Sequence, residues 1–322
     1  MKGKYGFGGR LTESFPSQVI IDVTEVCNLA CIHCPHADFV KSEHYSGRHL
    51  DPALNRKAVD EVRECGNGGK QLIRYSSEGE TLLHPHAFEM LDYAVRHSGA
   101  FVTLTTNGTI LPETEMKNLL SAGLHLIDVS IDAFSPETYR EIRRGGSLQI
   151  TQANVKNLLR WVRECGAKTK ILVTFIEQPA NCHEVGPFTN FWKEQGIEQI
   201  IIRRLHSAAG AVKWRADAQH SRQMGRERRP CIYPWERVLI SPRGEIAYCP
   251  ADWSHASTVA DFREKTIAET WCGKFYQALR EAHLKNSFSC FPFCSQCPDW
   301  EEVRWPDEGR GYGDLIGDAK GA

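Results

Sequence analysis

Short runs of aliphatic and β-branched residues alternate, along residues 17–205, with longer stretches whose apolar positions recur every three or four residues. The runs Val19–Val23, Leu72–Ser76, Phe101–Thr105, Leu126–Ile131, Lys170–Phe175 and Gln199–Arg203 have the length and composition of buried strands. The stretches Leu54–Cys65, Ala87–His97, Glu113–Ala122, Ile150–Cys165 and Val185–Gln195 read as amphipathic helices, with Leu158, Trp161 and Val162 sharing one face. Helix-start signals such as Asp51-Pro52 and Ser135-Pro136-Glu137 stand at several boundaries. This alternation implies parallel strands joined by right-handed crossovers. Six units are too few to close an eight-stranded barrel. The pattern therefore predicts an α/β chain, a partial (β/α)6 barrel of TIM type, open on one side.

The pattern changes after residue 206. Helical periodicity fades through Ser207–Arg229, and aromatic and cysteine residues then crowd together. Arg237-Val-Leu-Ile-Ser241, the turn Pro242-Arg-Gly-Glu245 and Ile246-Ala-Tyr248 read as a β-hairpin. The expected organisation is a barrel over 1–205, a linker over 206–230 and a small domain over 231–322.

Charge excludes some partners. The 322 residues carry a net charge of −1, with 25% charged residues, so no field favours nucleic acid or an anionic membrane. The run Arg222–Arg229 holds four arginines without an interleaved aromatic, the composition of a solvated loop. No apolar stretch approaches the roughly 20 residues of a spanning helix, and the first residues lack a signal-peptide core. A cytoplasmic location is expected. There, 12 cysteines read as metal ligands before disulfides.

Three of them form Cys27-Asn-Leu-Ala-Cys31-Ile-His-Cys34, directly after the first strand. Three thiolates this close can hold three corners of a cubic iron–sulfur cluster and leave its fourth iron open for chemistry. A zinc knuckle completed by His33 or His36, or a disulfide loop, is the plainer reading. Parallel barrels place their chemistry at the carboxyl ends of the strands, and the polar residues gather there. Glu78-Gly79-Glu80 follows the second strand, Thr105-Thr106-Asn107-Gly108 ends the third, Ser130-Ile131-Asp132 ends the fourth, and Gln178 lies beyond the fifth.

On these motifs residues 17–205 resemble the core of the radical S-adenosylmethionine (radical SAM) enzymes. The C-x3-C-x2-C spacing matches that family's cluster loop, whose 4Fe–4S cluster is completed by the amino and carboxylate groups of SAM. The resemblance implies that Gly79 and Glu80 form the glycine–glutamate motif, with the glutamate on the SAM amino group at a solvent-reachable mouth. Glu78 stands where the commonest version has another glycine. Thr106 and Asn107 match the segment meeting ribose and adenine, Ser130 and Arg143 resemble the pair holding the SAM carboxylate, and His33 corresponds to a position near the adenine. Asp132 and Gln178 fall within the same set of strand ends.

A second metal site is expected at the C-terminus. Cys231 and Cys249 flank the hairpin, and Cys294-x2-Cys297 lies near the end, with Cys290 four residues earlier. Four thiolates close one site, and chemistry alone leaves zinc and a four-iron cluster equally open. The segment resembles the SPASM and twitch extensions of radical SAM enzymes, matched at Cys231, Gly244, Cys249-Pro-Ala-Asp252, Cys294 and Cys297. That resemblance implies an auxiliary 4Fe–4S cluster. Six cysteines after residue 230 are too few for the two clusters of a full SPASM region, so the one-cluster twitch form fits better. Cys290 is then a spare or a substitute ligand, and Cys272 stands apart in a helix.

The resemblance implies cleavage of SAM to a 5′-deoxyadenosyl radical, using an electron from a flavodoxin- or ferredoxin-type reductant. A closed auxiliary cluster suits a dehydrogenase, and one-cluster twitch enzymes oxidise a secondary alcohol on an aminocyclitol or amino sugar in antibiotic pathways. Arg203, Arg204 and His206, at the end of the sixth strand, are candidates for handling the hydroxyl proton. A radical epimerase is the rival, with Cys182 or Cys290 as hydrogen donor, while Cys65 and Cys165 read as packing residues. Peptide modification is a third reading. Only residues 1–16 precede the first strand, so no fused leader-binding module is expected. A non-catalytic iron–sulfur or zinc scaffold would leave the matched SAM groups without a use.

Overall fold

The computed structural model describes residues 5–66, 71–76 and 78–308. Six strands lie side by side in chain order, all parallel: β1 (Gln18–Ile21), β2 (Leu72–Tyr75), β3 (Phe101–Thr106), β4 (Leu126–Ser130), β5 (Lys170–Glu177) and β6 (Gln199–Arg204). The connecting helices are Pro52–Cys65, Ala87–His97, Glu113–Ala122, Pro136–Ile142 with Leu148–Glu164, and Val185–Glu194. Asp51 caps the first, its carboxylate accepting from Ala53 N at 2.8 Å. Ser135 caps Pro136–Ile142.

Alternation along the strands sorts their side chains onto two faces. Val19, Ile21, Ile73, Tyr75, Val102, Leu104, Ile127, Val129, Val173 and Phe175 pack against the helices in the main core. On the other face Leu72, Phe101, Leu126 and Leu172 form an apolar plug. Beyond it, towards the strand carboxyl ends, the same registers carry Thr103, Thr105, Asp128, Ser130, Thr174 and Arg203. The plug closes one end of the partial barrel, and the polar residues line the other.

The C-terminal segment continues this sheet. Strand β7 (Arg237–Ile240) pairs parallel with β1, and β8 (Glu245–Ala247) and β9 (Thr258–Asp261) follow antiparallel, giving the order β6-β5-β4-β3-β2-β1-β7-β8-β9. The hairpin is where the sequence puts it, but its docking covers the otherwise unpaired edge of β1. Its turn requires Gly244, at φ +75°, since a Cβ there would stand 2.6 Å from Leu54 Cδ1.

The expected linker holds a helix, Lys213–Gln223. Periodicity misses it because polar side chains bury its inner face: Gln219 donates to Asp299 Oδ1 at 3.0 Å and Gln223 to the Pro298 carbonyl at 2.7 Å. The basic run is likewise not a free loop. Arg228 donates to the Cys294 and Ser295 carbonyls, and Arg229 to those of Trp300, Glu301 and Val303. Among the described residues no helix is long and apolar enough to cross a membrane.

Candidate functional site

The cysteine loop leaves β1 and is clasped by the segment after Pro136–Ile142. Ala30 N donates to Arg144 O at 2.9 Å and Ile32 N to Ile142 O at 3.0 Å. Gly145, at φ +92°, brings this clasp within 3.2 Å of Asn28 O, measured from where a Cβ would sit. The loop's thiols face one another. Burial pushes Cys27 up to about 11, with Glu80 and Cys31 adding to it, and Cys34 to about 12, with Cys31 and Cys27 adding to it. Cys31 is raised by burial and steadied by Arg143. Three crowded thiols that resist ionisation without a cation suit a group bringing its own positive charge. The donor set fits three corners of an iron–sulfur cluster.

Glu80 joins the ends of β2 and β3. Its carboxylate accepts from Thr106 Oγ1 at 2.7 Å, Asn107 N at 2.7 Å and Leu82 N at 3.3 Å. A Cβ at Gly79 would lie 2.1 Å from Thr24 O and 2.6 Å from Val26 O, so glycine lets this turn press on the backbone before the cysteine loop. Asn107 also donates to Asn28 Oδ1 at 2.8 Å, tying the third strand end to that loop. Glu80 is 4% exposed, so the solvent-reachable mouth expected for it is wrong. Glu80→Gln should therefore lower stability as well as SAM affinity, because an amide nitrogen would face a backbone N–H. A loss of about 1–3 kcal/mol is expected, read as an anaerobic melting-temperature shift.

Ser130, expected with Arg143 to hold the SAM carboxylate, ends β4 half-buried. Arg143 is buried and donates through Nε (2.9 Å) and Nη2 (2.5 Å) to Asp132 Oδ2. Asp132, at φ +63° and without exposure, also accepts from Ile176 N at 2.7 Å, so it anchors β4 to β5 with its carboxylate fully engaged. The charge of the buried arginine is met by a buried carboxylate at close range. His33 lies between these groups, 3.5 Å from Asp132 Oδ2 and 3.2 Å from Gln178 Nε2. Burial holds it down at about 4, so the ring is neutral.

Of the residues expected to handle substrate, Arg203 faces the barrel interior, its Nη2 2.9 Å from Asp128 Oδ2. Arg204 points to the opposite face and is exposed, as pleating requires, which removes it from the mouth. His206 is exposed, with Nδ1 3.8 Å from Asp299 Oδ2. Cys182 is exposed beyond β5, its thiol 3.7 Å from Pro179 O. Asp128 was missed. It is wholly buried and accepts from Thr174 Oγ1 at 2.5 Å. The signal was present: parallel strands buried on both faces are near-continuously apolar, and an aspartate in Leu126–Ser130 breaks that rule.

The second set is Cys231, Cys249, Cys294 and Cys297. Burial pushes Cys231 and Cys297 to about 12 and Cys294 to about 11, raises Cys249 well above its usual value, and the thiols raise one another. Cys231 N donates to His283 Nδ1 at 3.3 Å, the Cys294 thiol lies 3.8 Å from Tyr248 Oη, and Arg228 stands beside the group. Cys290 lies outside it, exposed against Ser289 Oγ at 3.9 Å. Four clustered thiols, two buried and two partly buried, with a nearby guanidinium fit a closed cluster whose potential these neighbours tune. A cavity of about 1540 Å³ opens elsewhere, beside Phe7, Arg228, Trp235 and Arg280, and includes none of these thiols.

Comparison with known proteins agrees with this geometry. Residues 21–179 match the model of the radical SAM superfamily, and residues 231–298 that of the SPASM iron–sulfur cluster-binding domain. A probable GTP 3′,8-cyclase of Methanothermobacter marburgensis is 28% identical over 186 residues, covering 58% of this chain and 56% of the relative. The chain thus spans about half the length of that curated relative. The fold is shared with BtrN in complex with AdoMet and 2-DOIA, at TM-score 0.59 and 15% identity, over 89% of this chain and 94% of BtrN. It is shared with Streptococcus suis SuiB bound to precursor peptide SuiA, at TM-score 0.62 and 16% identity, over 94% and 73%. The cofactors of the two domains are a 4Fe–4S cluster, S-adenosylmethionine and an auxiliary iron–sulfur cluster. The chain carries a radical SAM domain followed by a SPASM iron–sulfur cluster-binding domain.

Proposed function

We propose that this chain is a radical SAM dehydrogenase that oxidises a secondary alcohol on a small polyhydroxylated substrate of the aminocyclitol or amino-sugar class. Cys27, Cys31 and Cys34 would hold the open cluster, and Cys231, Cys249, Cys294 and Cys297 the closed one. When bound, these groups supply hydrogen-atom abstraction at the first site and electron uptake at the second. Glu80, Thr106 and Asn107 gather the SAM end of the mouth, with Arg143 held in place by Asp132.

One observation carries the substrate class: the polar interior face of the barrel. The Thr103 and Thr105 hydroxyls are buried without a hydrogen-bond partner, on successive inward positions of β3. Beside them Asp128 is fixed by Thr174 and Arg203. Unpaired buried hydroxyls are costly, and a ligand rich in hydroxyl and amino groups would satisfy them. Asp128 accepts the substrate hydroxyl and its proton. Arg203 positions that carboxylate and cannot itself act as a base, because guanidinium stays protonated.

The test is anaerobic incubation with SAM, reductant and a panel of aminocyclitols and amino sugars, read by mass spectrometry. A product lighter by two hydrogens is expected. Unchanged mass with solvent deuterium uptake would mean epimerisation, with Cys182 the first donor to examine.

A further inference from the structure

Glu25 lies just after β1, Glu78 just after β2, and His255 in the turn between β8 and β9. One potential ligand atom from each lies within 4.8 Å of the others. We propose that Glu25, Glu78 and His255 bind a divalent first-row metal ion, at a site separate from both thiol sets.

The set has vacant donors. Glu78 is 5% exposed, and its Oε2 is buried without a partner. His255 Nε2 is buried without a partner as well. Glu25 is fully buried and held from behind: its Oε2 accepts from Ser46 N at 2.9 Å and Arg48 N at 3.0 Å. Its Oε1 is 3.3 Å from Arg243 Nε, which leaves that oxygen a further lone pair.

Every neighbouring charge bears on the sign of the missing partner. Among the described residues Arg243 is a cation that acts on all three, and its Nη2 also donates to His44 O. Against it stand Glu25, Glu78, Asp22 and Asp252. Burial, then Asp22, Glu25 and Asp252, push Glu78 up to about 9, so the bare site draws a proton where a cation could sit. Burial and Arg243 hold His255 below its usual value, leaving a neutral imidazole, the ligating form. Glu245 Oε2, 3.9 Å from His255 Nδ1, stands on the side where a carboxylate orients a ligating ring.

The donor set narrows the ion. Two carboxylates and one imidazole suit Mn²⁺, Fe²⁺ or Zn²⁺ better than the all-oxygen sites of Mg²⁺ and Ca²⁺. Ligands bonded at about 2.1 Å sit about 3–3.5 Å apart, so these side chains need draw in by only about an ångström. Three protein ligands leave positions for water or for an oxygen of a substrate. Glu25 precedes Cys27 by two residues and Glu78 precedes Gly79, so the ion would share the loops that build the barrel mouth.

The test uses anaerobically reconstituted protein with both clusters loaded. Mn²⁺ is the probe because it competes poorly for thiolates. It is titrated while free Mn²⁺ is followed by electron paramagnetic resonance. One saturable Mn²⁺ per chain is expected, bound about tenfold or more weakly in both Glu78→Gln and His255→Gln, with iron content unchanged. His255→Gln, in a partly exposed turn, keeps the test decisive if Glu78→Gln loses iron. Absence of saturable Mn²⁺, or equal affinity in wild type and His255→Gln, overturns the proposal.

Discussion

Replacing Cys27, Cys31 and Cys34 together by alanine should leave a folded protein with about four irons in place of about eight, and with no SAM cleavage. The two thiol sets hang on different supports, so one can be emptied without the other. The first is shaped by backbone bonds that use no sulfur, from Ala30 to Arg144 and from Ile32 to Ile142. The second draws Cys231 from before the helical turn Tyr233–Glu236, Cys249 from after the β7–β8 hairpin, and Cys294 and Cys297 from within and just after the short helix Pro292–Gln296. Fold should survive, because the clasp after residue 142 and the Glu80 junction remain. Loss of all iron, or wild-type iron content in the triple variant, would show that the ligands are divided differently. Stoichiometric zinc and no iron in the wild-type protein would remove the cluster chemistry altogether.

Much of this was legible because parallel strands and amphipathic helices leave strong periodic marks. Ala87–His97 and Glu113–Ala122 begin and end where the apolar pattern does. The cysteine loop needed only spacing. The docking of β7 onto β1 was not readable, because a four-residue apolar strand carries no mark of which edge it will pair with. The helix Lys213–Gln223 escaped because glutamines bury its inner side.

Polar partners inside the site were harder still. Arg143 could be placed near the SAM end, but not its capture by Asp132, which depends on a left-handed turn at that aspartate. Glu78 looked like a departure from a glycine pattern. Only the fold shows Glu25 and His255 converging on it, with His255 177 positions further along the chain than Glu78. Arg204 failed for a simple reason: two consecutive arginines on a strand cannot face the same side.

The oxidative account rests on the second thiol set taking up the substrate's electron, and Cys249→Ala addresses it directly. Cys249 is 9% exposed at the end of the hairpin, and removing its sulfur opens a closed four-thiolate site. The first site keeps all its residues, so SAM should still be cleaved. The measurement is the ratio of 5′-deoxyadenosine to oxidised product, taken anaerobically beside Cys182→Ala as control. The account expects a ratio near one in wild type and in Cys182→Ala. In Cys249→Ala 5′-deoxyadenosine should form with no oxidised product. Normal product from Cys249→Ala, or its complete loss in Cys182→Ala with both clusters intact, would contradict the account.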